Sequence, residues 1–116
     1  DNFMQTTVTK VADKATIKLS GRFDFNAHRE FRAAYDPMVV DAAVNSVIVD
    51  FSGVDYISSA GLRVLMIASR QAKVARGVFA IAELTPLVQE VFAISRFNLI
   101  VPCYATVDAA CSNLSA

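Results

Sequence analysis

A chain of 116 residues can bury one sizeable core and leaves little room for a second. Apolar residues make up 54% and charged residues 19%, which excludes disorder; the formal charge is zero and no basic patch or stripe marks a nucleic-acid partner. Apolar runs such as Val47-Ile48-Val49 and Val64 to Ala68 are too short to span a bilayer. With no signal-peptide pattern either, the cytoplasm is the expected compartment and direct membrane insertion is not expected. Asp1 stands first where Met would, so the opening residues read as a trimmed end of one domain, residues 1–116, with its core at about residues 6–114.

Thr6 to Val11 and Ala15 to Ser20 are rich in Val, Thr and Ile and predict two short strands in a hairpin. Gly21 and Asp24-Phe25-Asn26 break that pattern, with Asn26 placed to cap a helix. Ala27, Phe31, Ala34 and Met38 then recur at helical spacing, and Pro37 is expected to end or kink the helix at Asp36. Ser46 to Phe51 is apolar without alternation, the pattern of a strand covered on both faces, and Ser52-Gly53 is expected to end it.

A second helix is predicted from about Ser59 to Ala75, with Leu62, Leu65, Met66, Ser69 and Ala72 along its inward stripe. Gly77 to Ala82 is the next buried strand. Thr85-Pro86 opens a third helix whose buried face is expected to be Leu87, Val88, Val91 and Phe92. Leu99 to Tyr104 reads as a last strand, confined to a sheet edge by Pro102. Thr106 caps a final helix carrying Val107, Ala110, Cys111 and Leu114 at i, i+3, i+4 and i+7. Strands alternating with helices imply an α/β domain: a mixed, mostly parallel sheet of about five strands packed by about four helices.

Little in the chain suggests catalysis. There is no Gly-x-Ser-x-Gly elbow and no phosphate loop, and His28, the single histidine, reads as a helix-surface residue. Cys103 and Cys111 read as small buried apolar residues; neither a zinc site nor any cofactor is expected.

The informative stretch is Val47 to Leu65, VIVDFSGVDYISSAGLRVL, in which two serines stand where a helix begins. It resembles the central motif of STAS domains, the family of the sporulation anti-sigma factor antagonists. That motif runs from a strand through Asp-x-Ser and an apolar position to Ser-Ser-x-Gly-Leu; here the matching residues are Asp50, Ser52, Ile57, Ser58, Ser59, Gly61 and Leu62. Gly21-Arg22-Phe23-Asp24 likewise resembles the family's Gly-Glu-Leu-Asp, with Arg22 in place of the glutamate, and Ser58 stands where the sporulation protein has an aspartate.

The resemblance implies an anti-sigma factor antagonist that works by binding and is not an enzyme. Unphosphorylated, such a protein docks on an anti-sigma factor, often also a serine kinase of the histidine-kinase-like ATPase type, and so releases a sigma factor. Phosphorylation of the motif serine ends the interaction and a serine phosphatase restores it. By position the acceptor is Ser59, with Ser58 as the alternative. The same fold also serves as a non-catalytic STAS subunit of a lipid-transport ABC system or of a stress-signalling assembly.

The expected partner-binding set is Asp24, Asp55, Tyr56, Ile57, Ser58, Ser59, Gly61 and Arg63. Each has a plainer reading: Asp24, Asp55 and Arg63 as solvated charges, Tyr56 and Phe23 as core aromatics, and either serine as a helix cap. The small residues Ala60 and Gly61 are expected to let a partner approach closely.

Overall fold

Residues 4–114 are described by a computed structural model. The Val- and Thr-rich segments form β1 (Gln5–Val11) and β2 (Lys14–Phe23), antiparallel and joined at Ala12-Asp13, where Ala12 takes φ 56°. β3 (Ser46–Ile57), β4 (Val78–Ala82) and β5 (Cys103–Tyr104) follow β2 in parallel, and the sheet order is β1-β2-β3-β4-β5. Between and after them lie α1 (His28–Val39), α2 (Ser59–Val74), α3 (Pro86–Ile94) and α4 (Val107–Asn113).

The sequential order decides where the core sits. Right-handed crossovers between successive neighbours all return on one side of the sheet, so α1, α2 and α3 share a face. There Ile17, Leu19, Val49, Phe51 and Ile81 of the strands meet Phe31, Tyr35, Leu65, Val88 and Phe92 of the helices. The opposite face carries a small separate cluster, Ile48 and Ala82 beneath Ala110 of α4. Tyr35 reaches from α1 to α2 and donates its hydroxyl to the Ala68 carbonyl at 2.6 Å; burial holds the phenol protonated well above its usual range.

Several expectations are corrected. β2 does not stop at Gly21; that glycine takes φ 122° at a register shift between β2 and β3, and the strand continues to Phe23. Nor does Ser52-Gly53 end β3. Gly53 pairs with Ser20, and a Cβ there would lie 2.7 Å from the Leu19 carbonyl oxygen, so the glycine permits close strand approach. Asn26 is not the cap: Asp24 is, its Oδ1 accepting from the Asn26 N–H at 3.0 Å to start a 3-10 turn over Phe25–Ala27.

Pro37 lies inside α1 without ending it. It falls in the last turn, where its missing N–H costs one bond, to the carbonyl of exposed Ala33; Met38 and Val39 pack on the core and hold the helix to its end. The final strand is only Cys103–Tyr104, because Phe97–Leu99 forms a 3-10 turn that sinks Phe97 into the core. Leu87 is exposed, leaving Val88 and Phe92 as the buried residues of α3.

Ala68, missed by the inward stripe, is buried on α2, whereas Leu62 and Met66 are only partly so. Both cysteines are half-buried, not buried; burial pushes the Cys103 thiol up to about 11. The expected domain ends, residues 1–3 and 115–116, lie outside the described residues.

Candidate functional site

Because β2, β3 and β4 run parallel, their carboxyl ends lie together, and the loops and helix starts that follow them share one end of the sheet. Phe23 closes β2 and Ile57 closes β3, paired with one another; Ser58 follows and α2 begins at Ser59. The Ser58 N–H donates to the Phe23 carbonyl at 3.0 Å, so the joint between β3 and α2 is tied to the adjacent strand.

The two serines have different work. Ser58 has extended backbone angles and its Oγ accepts from the Gly61 N–H at 3.1 Å: it is the N-cap of α2, half-buried. Ser59 is the first helical residue and exposed, and no described residue makes a hydrogen bond with its hydroxyl. Its hydroxyl is therefore available to a second protein. No acid occupies the first turn of α2, so the positive end of the helix dipole is unopposed there.

Gly61 and Ile57, expected to meet a partner, turn inward. Ile57 is buried, and Gly61 sits so close to Phe23 that a Cβ would meet its backbone carbonyl and come within 2.8 Å of its ring. The small residue serves internal packing, not partner access. Phe23 is core as well, stacked on Phe51 at 5.9 Å between ring centroids.

The remaining predicted residues are exposed or half-buried. Asp24 is half-buried in its capping role, while Asp55 and Arg63 are exposed. Tyr56, directly opposite Arg22 across the strand pair, lies under its guanidinium, 3.9 Å from Cζ to the ring centroid. Arg22 Nε is also 3.8 Å from Asp24 Oδ2, so one cation links an acid and an aromatic of the expected surface.

One residue of this end was missed. Phe25 is 66% exposed and its ring lies 5.1 Å from that of His28, on a turn that packs against α2. Its signal was an aromatic between two cap-forming residues, Asp24 and Asn26, where no core periodicity calls for one. His28 Nδ1 lies 2.9 Å from the Phe25 carbonyl, engaged in holding this turn. Thr85 anchors the start of α3 by donating Oγ1 to the Val54 carbonyl at 2.7 Å. Among the described residues no group of three metal-binding side chains converges. What this end offers is an exposed hydroxyl at a helix start, beside aromatic and charged side chains.

Residues 6–102 match the family model described as Mlab, STAS domain. The chain is 36% identical over 107 residues to BtrV of Bordetella bronchiseptica, a protein named as an anti-sigma factor antagonist, covering 92% of this chain and 91% of the relative. The crystal structure of an anti-sigma factor antagonist from Mycobacterium paratuberculosis superposes with a TM-score of 0.86 at 20% identity, covering 97% of this chain and 95% of the other. The phosphorylated form of the Bacillus cell fate determinant SpoIIAA gives a TM-score of 0.71 at 20% identity, covering 95% of this chain and 99% of the other. At that identity these structures speak to the fold.

Proposed function

The chain belongs to the STAS domain family, and from that premise we propose that it is an anti-sigma factor antagonist switched off by phosphorylation of Ser59. In its unphosphorylated form it binds an anti-sigma factor that is also a serine kinase of the histidine-kinase-like ATPase type, and thereby frees a sigma factor in the cytoplasm. A serine phosphatase reverses the modification. The chain acts by binding and not by catalysis.

The observation that carries this reading is the division of labour at α2: Ser58 is committed to the cap and Ser59 presents a free, exposed hydroxyl one residue later. The docking surface is then Asp24, Asp55, Tyr56, Ser59 and Arg63, joined by Phe25, with Ile57, Ser58 and Gly61 as its internal support.

The energetics favour a switch over a structural change. Phosphorylation adds about −1.5 to −2 charges and three acceptor oxygens. On the isolated domain an exposed Ser59 leaves the phosphate in water, and the helix end contributes only about 0.3–1 kcal/mol in its favour. Inside an interface the phosphate loses that water. A net penalty of about 2.7 kcal/mol there already weakens binding about a hundredfold.

The test is to incubate wild type, Ser59→Ala and Ser58→Ala with the cognate kinase and ATP, locate phosphate by mass spectrometry and measure partner affinity. Phosphate on Ser59 in wild type and Ser58→Ala, none on Ser59→Ala, and at least tenfold weaker docking of the phosphorylated form are expected. Ser59→Asp carries one charge where phosphate carries nearly two, so it weakens docking only in part. Phosphate on Ser58 alone overturns the assignment. No phosphate on either serine, with tight binding to a transporter ATPase, would make the chain a lipid-transport subunit instead.

A further inference from the structure

From Tyr56 to Ala82 the chain contains no Asp or Glu, yet Arg63, Arg70, Lys73 and Arg76 fall there, three on α2 and one just past its end. Among the described residues none of these four cations lies within 4.0 Å of an acid, and neither do Lys18, Arg29 and Arg96, whereas Lys10, Lys14, Arg22 and Arg32 do. Arg63, Ile67, Arg70 and Val74 are spaced four, three and four apart, which puts them on one exposed stripe of the helix.

Beside the far half of that stripe runs a groove between α2 and the end of α1, lined by Val39, Val40, Ile67, Arg70, Gln71 and Val74. Val40 is 79% and Val74 86% exposed, apolar side chains that a monomer gains nothing by showing to water. On the same wall the Gln71 side-chain oxygen is shielded from water and has no hydrogen-bond partner among the described residues. An apolar trough beside Arg70, on a helix that carries no acid, describes one occupant.

We propose that this groove receives an acidic amphipathic helix of a protein partner. Apolar side chains of that helix at i, i+4 and i+7 lie along Val40, Ile67 and Val74, and a flanking carboxylate pairs with Arg70. A concave trough between two helices accepts a ridge of side chains; a flat anionic membrane would meet only its rim. At about 1.5 Å per residue, Ile67 to Val74 lies about 12–22 Å along α2 from Ser59. The groove is thus a second contact area whose use does not depend on the modification of Ser59.

Two 18-residue peptides test this, identical in their leucines at i, i+4, i+7 and i+11 but flanked by Glu in one and by Lys in the other. Each is titrated into the isotope-labelled full chain while amide resonances are followed. The Glu peptide should shift Val40, Ile67, Arg70 and Val74, lose at least tenfold in affinity with R70E or V74D, and bind S59D within about twofold of wild type. Both groove substitutions replace exposed side chains, and unchanged melting temperatures confirm that the variants fold. Equal binding of the Lys peptide, shifts confined to the end carrying Ser59, or no binding overturns the proposal. So does binding of phosphatidylglycerol vesicles in place of the peptide, or concentration-dependent shifts of the same residues without it, which would assign the groove to lipid or to a second copy of the chain.

Discussion

The two serines at the start of α2 differ in what each holds, and single substitutions should separate them. Ser58→Ala removes the oxygen that accepts from the Gly61 N–H at 3.1 Å and leaves the donor of that buried glycine without its cap. Lost N-caps of this kind cost about 1 kcal/mol, within about 0.5–2. Unfolding entropy near the midpoint is about 2.1 cal/mol/K per residue, so for this chain length 1 kcal/mol lowers the melting temperature by about 4 °C. Ser59→Ala removes an exposed hydroxyl with no partner and should stay within about 0.5 kcal/mol of wild type.

Ser58→Asp should recover most of the loss, since a carboxylate accepts the same N–H and its charge suits the positive helix end. Urea midpoints and calorimetric melts of the three variants, with the m-value unchanged, provide the measurement. Equal loss for the two alanine variants, or a larger one at Ser59, would refute the assignment of cap and acceptor.

Three further outcomes are expected. Gly61→Ala drives a methyl into the Phe23 backbone carbonyl, which cannot step aside as a side chain can, and should cost about 3 kcal/mol by denaturation, the upper end for overpacking. Leu65→Ala empties a fully buried site between α2 and the sheet and should cost about 2–5 kcal/mol; an unchanged midpoint would show that this face of α2 is not core. Burial raises the Cys103 thiol to about 11 from a reference of 9.0, so the folded chain holds its proton where the unfolded chain has lost it. Stability should therefore fall as pH rises from about 9 to 11, relative to a Cys103→Ala control, and native-state alkylation of Cys103 at pH 8 should be far slower than in denaturant.

Much of the architecture was legible because periodicity and capping agree. Val47-Ile48-Val49 is a buried strand, Thr85-Pro86 opens α3, and Thr106 caps α4 by accepting from the Ala109 N–H, each signalled by residues whose local preference matches the final fold. The misreadings share a cause: a local breaker signal outweighed by a distant contact. Gly53 and Pro37 carry turn propensity, but β2 beside one and the core beneath the other hold the chain regular. Asp24 and Asn26 are equally good caps in a sequence; only the path of β2 through Phe23 decides between them.

At the site the same limit applied. That two adjacent serines stand at a helix start was legible, whereas which of them is tied down as the cap depends on the angle at which α2 leaves β3. Leu87 and Phe25 were misjudged or missed because exposure of an apolar side chain leaves no trace in one-dimensional spacing. Ile57 and Gly61 were placed on the surface because motif membership does not tell a contact from its foundation.

The bond from the Ser58 N–H to the Phe23 carbonyl gives the joint beneath Ser59 a mechanical character. Two strand ends, a helix start and a stacked phenylalanine are fastened at one point, as a keystone is gripped by the stones around it. An enzyme that modifies Ser59 need not melt or pry open anything to reach its target; it meets a hydroxyl held out on a stiff bracket. On the proposed function, a phosphate there would be felt first by whatever docks on top of it.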